Sequence, residues 1–367
     1  MGSIVDNDKS EVSISAASSA EENSGEITFE VVMTNPVDAD IEIDIATSPD
    51  TANSTTTDDY TEIATTLTFT SGETSKEVSV SISDDTILED DETFEIEISN
   101  LDDAGRLVGL SAADTGVGTI LNDDSVKFSI SSSSETAESG TREYIVELDG
   151  DIQGGATISY TVVNGTTSAA DYSPGSGTII FDGDSGETQT ISIDIANDTD
   201  VEIDETFELK LGVMSAPGTA ADITLPIPLE ESIVDDDSAT IQLLGDPDGL
   251  IQNEDQGPDS DVPSSFQFTV QVDNAVEGGF TVPILISRQS GSDELGIDYT
   301  VNKTSLIFTG NEDEEQTFTV FSVVDSIVEP DESFEVTLGD PVPTFGGAIT
   351  KDGIPKIFTI QMMTSQK

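Results

Sequence analysis

The chain has 367 residues and carries 75 Asp and Glu against 11 Lys and Arg, with no His, for a formal charge of −64 at pH 7. Such a polyanion is repelled by nucleic acid and by anionic membrane surfaces, and it attracts cations. Cys and Trp are absent, which removes disulfides, thiol chemistry and thiolate metal sites, and the lack of both His and Cys excludes the usual Ser-His and Cys-His nucleophile systems.

In chain order, Met1-Gly2 reads as an expression scar and Ser3-Ile4-Val5-Asp6-Asn7-Asp8 as the tail of a preceding repeat, so targeting signals are expected to lie outside this segment. No apolar run approaches the roughly 20 residues needed to cross a bilayer. From Val12 and Ile14 onward, short apolar runs alternate with Thr, Ser and Glu: Ile27, Phe29, Val31; Ile41, Ile43, Ile45; Val78, Val80, Ile82; Phe94, Ile96, Ile98. The pattern restarts at Phe128 and Ile130, then runs through Ile158, Tyr160, Val162, through Ile191, Ile193, Ile195 and through Phe207, Leu209, Leu211. A third set opens with Ile241 and Leu243 and continues through Phe266, Phe268, Val270, Val272, through Phe318, Val320 and through Phe334, Val336, Leu338. A period of two is the mark of half-buried antiparallel strands, and it outweighs the disorder that high acidity and only 35% hydrophobic residues would otherwise suggest.

Three markers recur in fixed order. Asp-Tyr stands at Asp59-Tyr60, Asp171-Tyr172 and Asp298-Tyr299, followed by Leu67 and Phe69, Ile179 and Phe181, and Leu306 and Phe308. An acidic segment ending in Phe follows, at Glu89 to Phe94, Glu202 to Phe207 and Glu329 to Phe334. A closing marker appears as Ile4-Val5-Asp6-Asn7-Asp8, Ile120-Leu121-Asn122-Asp123-Asp124 and Ile233-Val234-Asp235-Asp236-Asp237. Units of about 110 to 130 residues with about seven short strands predict immunoglobulin-like sandwiches. The division is 1–8 for the scar and preceding tail, 9–124 for repeat one, 125–237 for repeat two and 238–367 for repeat three. With almost no slack between a closing marker and the next strand, an extended rod of roughly 100 Å is expected.

At these residues the sequence resembles the Calx-beta family, named for the cytosolic regulatory domains of sodium–calcium exchangers and widespread in large bacterial surface proteins. The resemblance spans nearly all of residues 3 to 360 and includes Gly72-Glu73-Thr74 and Gly186-Glu187-Thr188 between the first two markers. It implies an all-β fold of three tandem antiparallel β-sandwiches with Ca2+ bound by loop carboxylates at one end of each. For repeat one it implies Glu22, Asp59, Asp84, Asp85, Glu89, Glu92, Asp123 and Asp124 as ligands. For repeat two the matching residues are Glu138, Asp171, Asp198, Glu202, Glu205, Asp235, Asp236 and Asp237, with Asn197 at the position of Asp84. Repeat three matches at Glu254, Asp298, Asp325, Glu329 and Glu332, but Val324 replaces the first loop Asp and the closing stretch reads Ile360-Gln361-Met362-Met363.

Oxygen-only donors suit a hard cation, and calcium takes about six to eight of them in flexible geometry, whereas zinc would want the His or Cys lacking here. Carboxylates about 4 Å apart repel by about 4 kcal/mol per pair at an effective dielectric near 20, so an ion would turn a strained cluster into a bracket. Most of the 75 acids lie outside these positions and read as solvated surface. A glycosidase carboxylate pair is disfavoured because the acids recur in every repeat and no Trp offers a sugar platform. Tyr60, Tyr172 and Tyr299, like Phe94, Phe207 and Phe334, read as structural.

The resemblance implies a calcium-binding structural or adhesive stalk on a bacterial cell surface, of the kind found in adhesins, biofilm matrix proteins and gliding-motility filaments, and not an enzyme. Its expected partners are the neighbouring repeats of a monomeric chain, with surface glycans or host and cell-surface proteins as adhesion targets; no nucleic acid and no membrane insertion are expected. The alternative is a carbohydrate- or protein-recognition module that uses residues 100 to 117 and 212 to 230, which read as long insertions before the last strand, and 246 to 263, an acidic, Pro- and Gly-rich loop. A submicromolar sensor like the exchanger domains ranks last.

Overall fold

The computed structural model describes the chain except residues 1, 3–6, 55–58, 113, 133–136, 245–249, 254–261, 291–297, 326–329 and 362–367. The architecture is all-β: three β-sandwiches in tandem, each with its own apolar core. Among the described residues there is one single-turn 3₁₀ helix, Glu22–Ser24, and no helix long and apolar enough to cross a membrane.

In repeat one the strands Ser75–Ser81, Glu26–Met33, Ser10–Ile14 and Val108–Leu110 form one sheet in that order. They face Ala17–Glu21, Thr115–Leu121, Glu92–Asp102, Ile41–Pro49 and Ala64–Phe69. The opening strand is split: Ser10–Ile14 pairs with Glu26–Met33, then the chain crosses so that Ala17–Glu21 runs parallel to Thr115–Leu121 in the opposite sheet. Alternation puts Val12, Phe29, Val31, Ile41, Ile43, Phe94 and Ile96 between the sheets, all fully buried.

Repeat two repeats the plan with Tyr172–Ser173, Thr188–Ile195, Gly140–Asp149, Val126–Ser132 and Ile223–Thr224 against Ser176–Phe181, Ala156–Asn164, Glu205–Ser215 and Leu229–Ile233. Repeat three places Tyr299–Val301, Glu315–Ser322, Ser265–Val272, Ser238–Leu244 and Ala348–Lys351 in one sheet. Its other sheet orders Leu250–Asn253, Lys356–Gln361, Glu332–Leu338, Phe280–Ser290 and Ser305–Phe308.

The markers meet in three dimensions. The ring of each Asp-Tyr tyrosine packs on the phenylalanine that ends the acidic segment: Tyr60 on Phe94 at 4.5 Å between centroids, Tyr172 on Phe207 at 5.7 Å, Tyr299 on Phe334 at 4.7 Å. These aromatics are core, and they tie two acidic loops to the same end of each sandwich.

Two sequence expectations need correction. Residues 100 to 117 and 212 to 230 are not free insertions: Val108–Leu110 and Ile223–Thr224 add parallel to the opening strands Ser10–Ile14 and Val126–Ser132, as Ala348–Lys351 does in repeat three. As edge strands of two or three residues they show no alternation, and they raise the strand count above seven. Of 246 to 263, only Leu250–Asn253 and residues 262–263 lie among the described residues, and the former is a strand parallel to Lys356–Gln361.

Adjacent repeats interlock through the acidic loops. Leu88 of repeat one pairs in parallel with Ile152 of repeat two and, at 0% exposure, belongs to the second core. Val201 of repeat two pairs in the same way with Val276 and belongs to the third core at 1% exposure. The backbone contacts also recur: Gln153 N–H donates to the Leu88 carbonyl at 3.0 Å, and Glu277 N–H to the Val201 carbonyl at 2.8 Å.

Candidate metal centre

Backbone hydrogen bonds bring the markers' carboxylates together. The carbonyl of each Asp-Tyr aspartate accepts from the end of the following long strand: Ser83 N–H to Asp59 O at 2.9 Å, Ala196 N–H to Asp171 O at 2.8 Å, Val323 N–H to Asp298 O at 2.9 Å. The closing marker then caps the acidic segment, with Asn122 Oδ1 accepting from Glu89 N–H and Asp235 Oδ1 from Glu202 N–H, both at 3.1 Å. Three loops far apart in sequence therefore converge at the interlocked end of repeats one and two.

Repeat one holds two acidic groups there. Glu22, Asp85 and Asp124 offer carboxylate oxygens all within 4.8 Å of one another, and so do Asp59, Glu89 and Glu92. Glu22 is buried at 6% exposure because the 3₁₀ turn at the end of the split opening strand points it inward, and Glu89 is buried at 5%. Burial, with the charges of Glu89, Asp85, Asp124 and Asp123 adding to it, pushes the Glu22 carboxyl up to about 8. Burial with Asp85 and Asp59 nearby raises Glu89 to about 7, and burial with Asp59 nearby raises Glu92 to about 8. Asp123 and Asp84 are exposed on the rim; Asp123 accepts a hydrogen bond from Asn23, and both add repulsion on Asp124.

Repeat two groups Glu138, Asp236 and Asp237 within the same 4.8 Å limit. Burial, reinforced by Asp198, Asp235, Asp237 and Glu202, raises Glu138 to about 7. Glu202 and Glu205 are each raised to about 7 by burial, with Asp171 among the contributing charges in both cases. Asp198 is exposed but adds to the repulsion on both Glu138 and Glu202. In repeat three Asp298 and Glu332 are buried and Asp325 is exposed, while Glu254 and Glu329 lie outside the described residues. Among the described residues no group of three acids forms in repeat three.

The donor set fits a hard cation. Glu92 Oε2, Asp124 Oδ2, Glu138 Oε2 and Asp237 Oδ2 are buried without a hydrogen-bond partner among the described residues. Buried carboxylate oxygens crowded together and left unpaired are costly unless a positive charge joins them. All donors are oxygens, which suits an ion that takes about six to eight of them at ~2.3 to 2.6 Å.

Residues not anticipated from the sequence also reach these groups across the joints. Gln153 of repeat two donates from Nε2 to Glu89 Oε1 at 2.7 Å. At the second joint the same position is Glu277 of repeat three, whose charge adds to the repulsion on Glu202 and Glu205. The signal was present in Ile152-Gln153-Gly154-Gly155 and Val276-Glu277-Gly278-Gly279, two matching strings in which only the polar residue differs in charge.

Several solved structures are similar. The apo-form CBD1 domain of Calx shares 23% identity, covering 32% of this chain and 100% of that one, at a TM-score of 0.29. The calcium binding domain CBD12 of CALX1.1 shares 18%, covering 60% and 98%, at 0.30. A two-domain protein of unknown function from Bacteroides fragilis shares 10%, covering 51% and 84%, at 0.24. Likenesses at this level establish nothing about the chain beyond what its own sheets show, and no curated protein matches it. The Calx-beta domain, by contrast, matches three times, over residues 6–125, 121–237 and 262–354, and the chain belongs to the Calx-beta family.

Proposed function

We propose that the chain is a calcium-binding structural segment of an extracellular bacterial surface protein, a stalk in which Ca2+ stiffens the joints between repeats. One observation carries this reading: the segment from Asp85 to Glu89 supplies carboxylates to both acidic groups of repeat one while its Leu88 is buried in the core of repeat two. Neutralising the carboxylates therefore fixes the loop that makes the joint. Glu22, Asp59, Asp85, Glu89, Glu92 and Asp124 would hold ions in repeat one, and Glu138, Asp236 and Asp237 in repeat two. Calcium bound there supplies positive charge and orders the loops.

The family favours this ion. The −64 charge suits a medium rich in divalent cations, and extracellular calcium modules bind at about 10⁻⁴ to 10⁻³ M. Adhesion to glycans or to host and cell-surface proteins would belong to other surfaces of the parent protein. Small-angle scattering with and without chelator tests the stalk: the maximum dimension should be longer and sharply defined in calcium, and an identical profile in both conditions contradicts it.

A further inference from the structure

Repeat one brings Glu22 to its acidic group by strand pairing. The second half of the split opening strand runs beside the closing strand from Ala17 with Val117 to Glu21 with Leu121, so Glu22 arrives beside Asn122-Asp123-Asp124. In repeat two the same pairing, among the described residues, is a single bridge between Ala137 and Val234, the counterpart of that last rung. Glu138 still meets Asp236 and Asp237 within 4.8 Å. Arg142 stands between the two segments. It is 2% exposed, the one buried basic side chain among the described residues. Its Nη2 donates to the Ala137 carbonyl at 3.1 Å and its Nη1 to the Ser232 carbonyl at 2.8 Å. The Glu231 carboxylate is farther away, at 3.7 Å, and the guanidinium carbon lies 5.9 Å from the centre of the Phe207 ring.

We propose that Arg142 is a positioning residue for the ion of repeat two: its fork ties the backbone of Ala137 to that of Ser232 and so holds Glu138 against Asp236 and Asp237, the task that strand pairing performs in repeat one. This role rests on the calcium reading above. A planar guanidinium presents its N–H groups in fixed directions, so one side chain serves acceptors on two segments, which a flexible ammonium does poorly. Burying that charge is costly unless it is hydrogen-bonded, and both bonds fall on the segments that carry the carboxylates. Filling the core does not require an arginine. Arg142 lies opposite Ile193, as Ile27 lies opposite Val80 and Phe266 opposite Val320, and the equivalent Ile27 and Phe266 fill the place with apolar side chains. Phe266 belongs to the repeat in which no group of three acids forms among the described residues.

Hydrogen exchange of the full chain across a CaCl2 titration, starting in chelator, tests this. Residues 230–237 report the site of repeat two, 17–24 that of repeat one and 144–148 the second core. In Arg142→Ile, which installs the residue of repeat one, the calcium concentration that half-protects 230–237 should rise by about tenfold or more, the scale of a lost hydrogen bond from a charged group. In chelator the same segment should exchange faster, while 144–148 stays protected and 17–24 keeps its wild-type midpoint. Arg142→Lys keeps the charge and loses the fork, and it should shift the 230–237 midpoint in the same direction with the core intact. A lysine variant that responds like wild type overturns the proposal, because charge alone would then suffice. Loss of protection at 144–148 together with 230–237 in both variants also overturns it, by making Arg142 a general core residue. A wild type that gains protection at 17–24 and not at 230–237 denies repeat two its ion, whereas no response at either segment removes the calcium reading and this role with it.

Discussion

Leu88 and Ile152 are parallel β-bridge partners from different repeats, and the fully buried Leu88 sits between Asp85 and Glu89, which serve the two acidic groups of its own repeat. Packing and charge at the first joint are therefore coupled through one short loop.

Leu88→Ala should weaken the second repeat more than the first, although Leu88 is covalently part of the first. A buried Leu→Ala change costs about 2 to 5 kcal/mol, depending on how far the site collapses. Hydrogen exchange read at Val146 and Leu148, in the second core, should show that loss, while Phe29 and Val31, in the first core, stay protected. Equal loss in both cores would mean that the repeats unfold as one unit.

Glu138→Gln should act with opposite signs in the two states. Without calcium it removes one charge from a buried group that Asp198, Asp235, Asp237 and Glu202 repel, so the melting temperature in chelator should rise. With calcium it removes a ligand, and affinity at repeat two should fall at least about tenfold, a loss of about 1.4 kcal/mol. Calorimetry with and without Ca2+ checks both signs; a variant that melts lower in chelator would show that Glu138 is not under electrostatic strain.

The strands and the repeat were legible because a half-buried sheet imposes a period of two, and because Asp-Tyr and the acid-rich segment recur at fixed order. The Tyr60–Phe94 contact explains why these two markers travel together. The joints were not legible. Leu88 stands beside Ile87, and Val201 two residues before Ile203, in short acidic strings, and nothing local tells an apolar residue of its own core from one that inserts into a neighbour's. The edge strands Val108–Leu110 and Ile223–Thr224 were hidden because strands this short show no alternation. The rim and centre of the acidic groups could not be separated either: Asp84 and Asp85 are adjacent in sequence, yet the chain buries only the second in part.

Stability without calcium should fall as pH rises. Glu22 and Glu92 are raised to about 8, and Glu89, Glu138, Glu202 and Glu205 to about 7. The folded state keeps protons that the unfolded chain releases near its ordinary glutamate value. Stability is therefore greatest at or below about pH 4.5 as far as these groups decide it, and is lost up to about pH 8. Calcium should reverse the trend, because its ligands must be deprotonated and binding tightens with pH. Melting curves across this window in chelator and in calcium check the pair of slopes; a parallel fall in both media would sink the assignment.

Gln153→Glu should make the first joint resemble the second. It removes the amide that donates to Glu89, a bond to a charged group typically contributing about 1.5 to 3 kcal/mol, and adds a carboxylate. The loss should appear in chelator and be largely recovered in calcium, whereas Gln153→Ala should lose stability in both. Proteolysis at the 85–91 loop, compared between the two variants with and without Ca2+, reads the difference.

The most direct test of the whole account is anomalous scattering from crystals of the chain grown in excess calcium. It predicts ions among Glu22, Asp85 and Asp124, among Asp59, Glu89 and Glu92, and among Glu138, Asp236 and Asp237. Carboxylates in those places with no anomalous peak between them would contradict it.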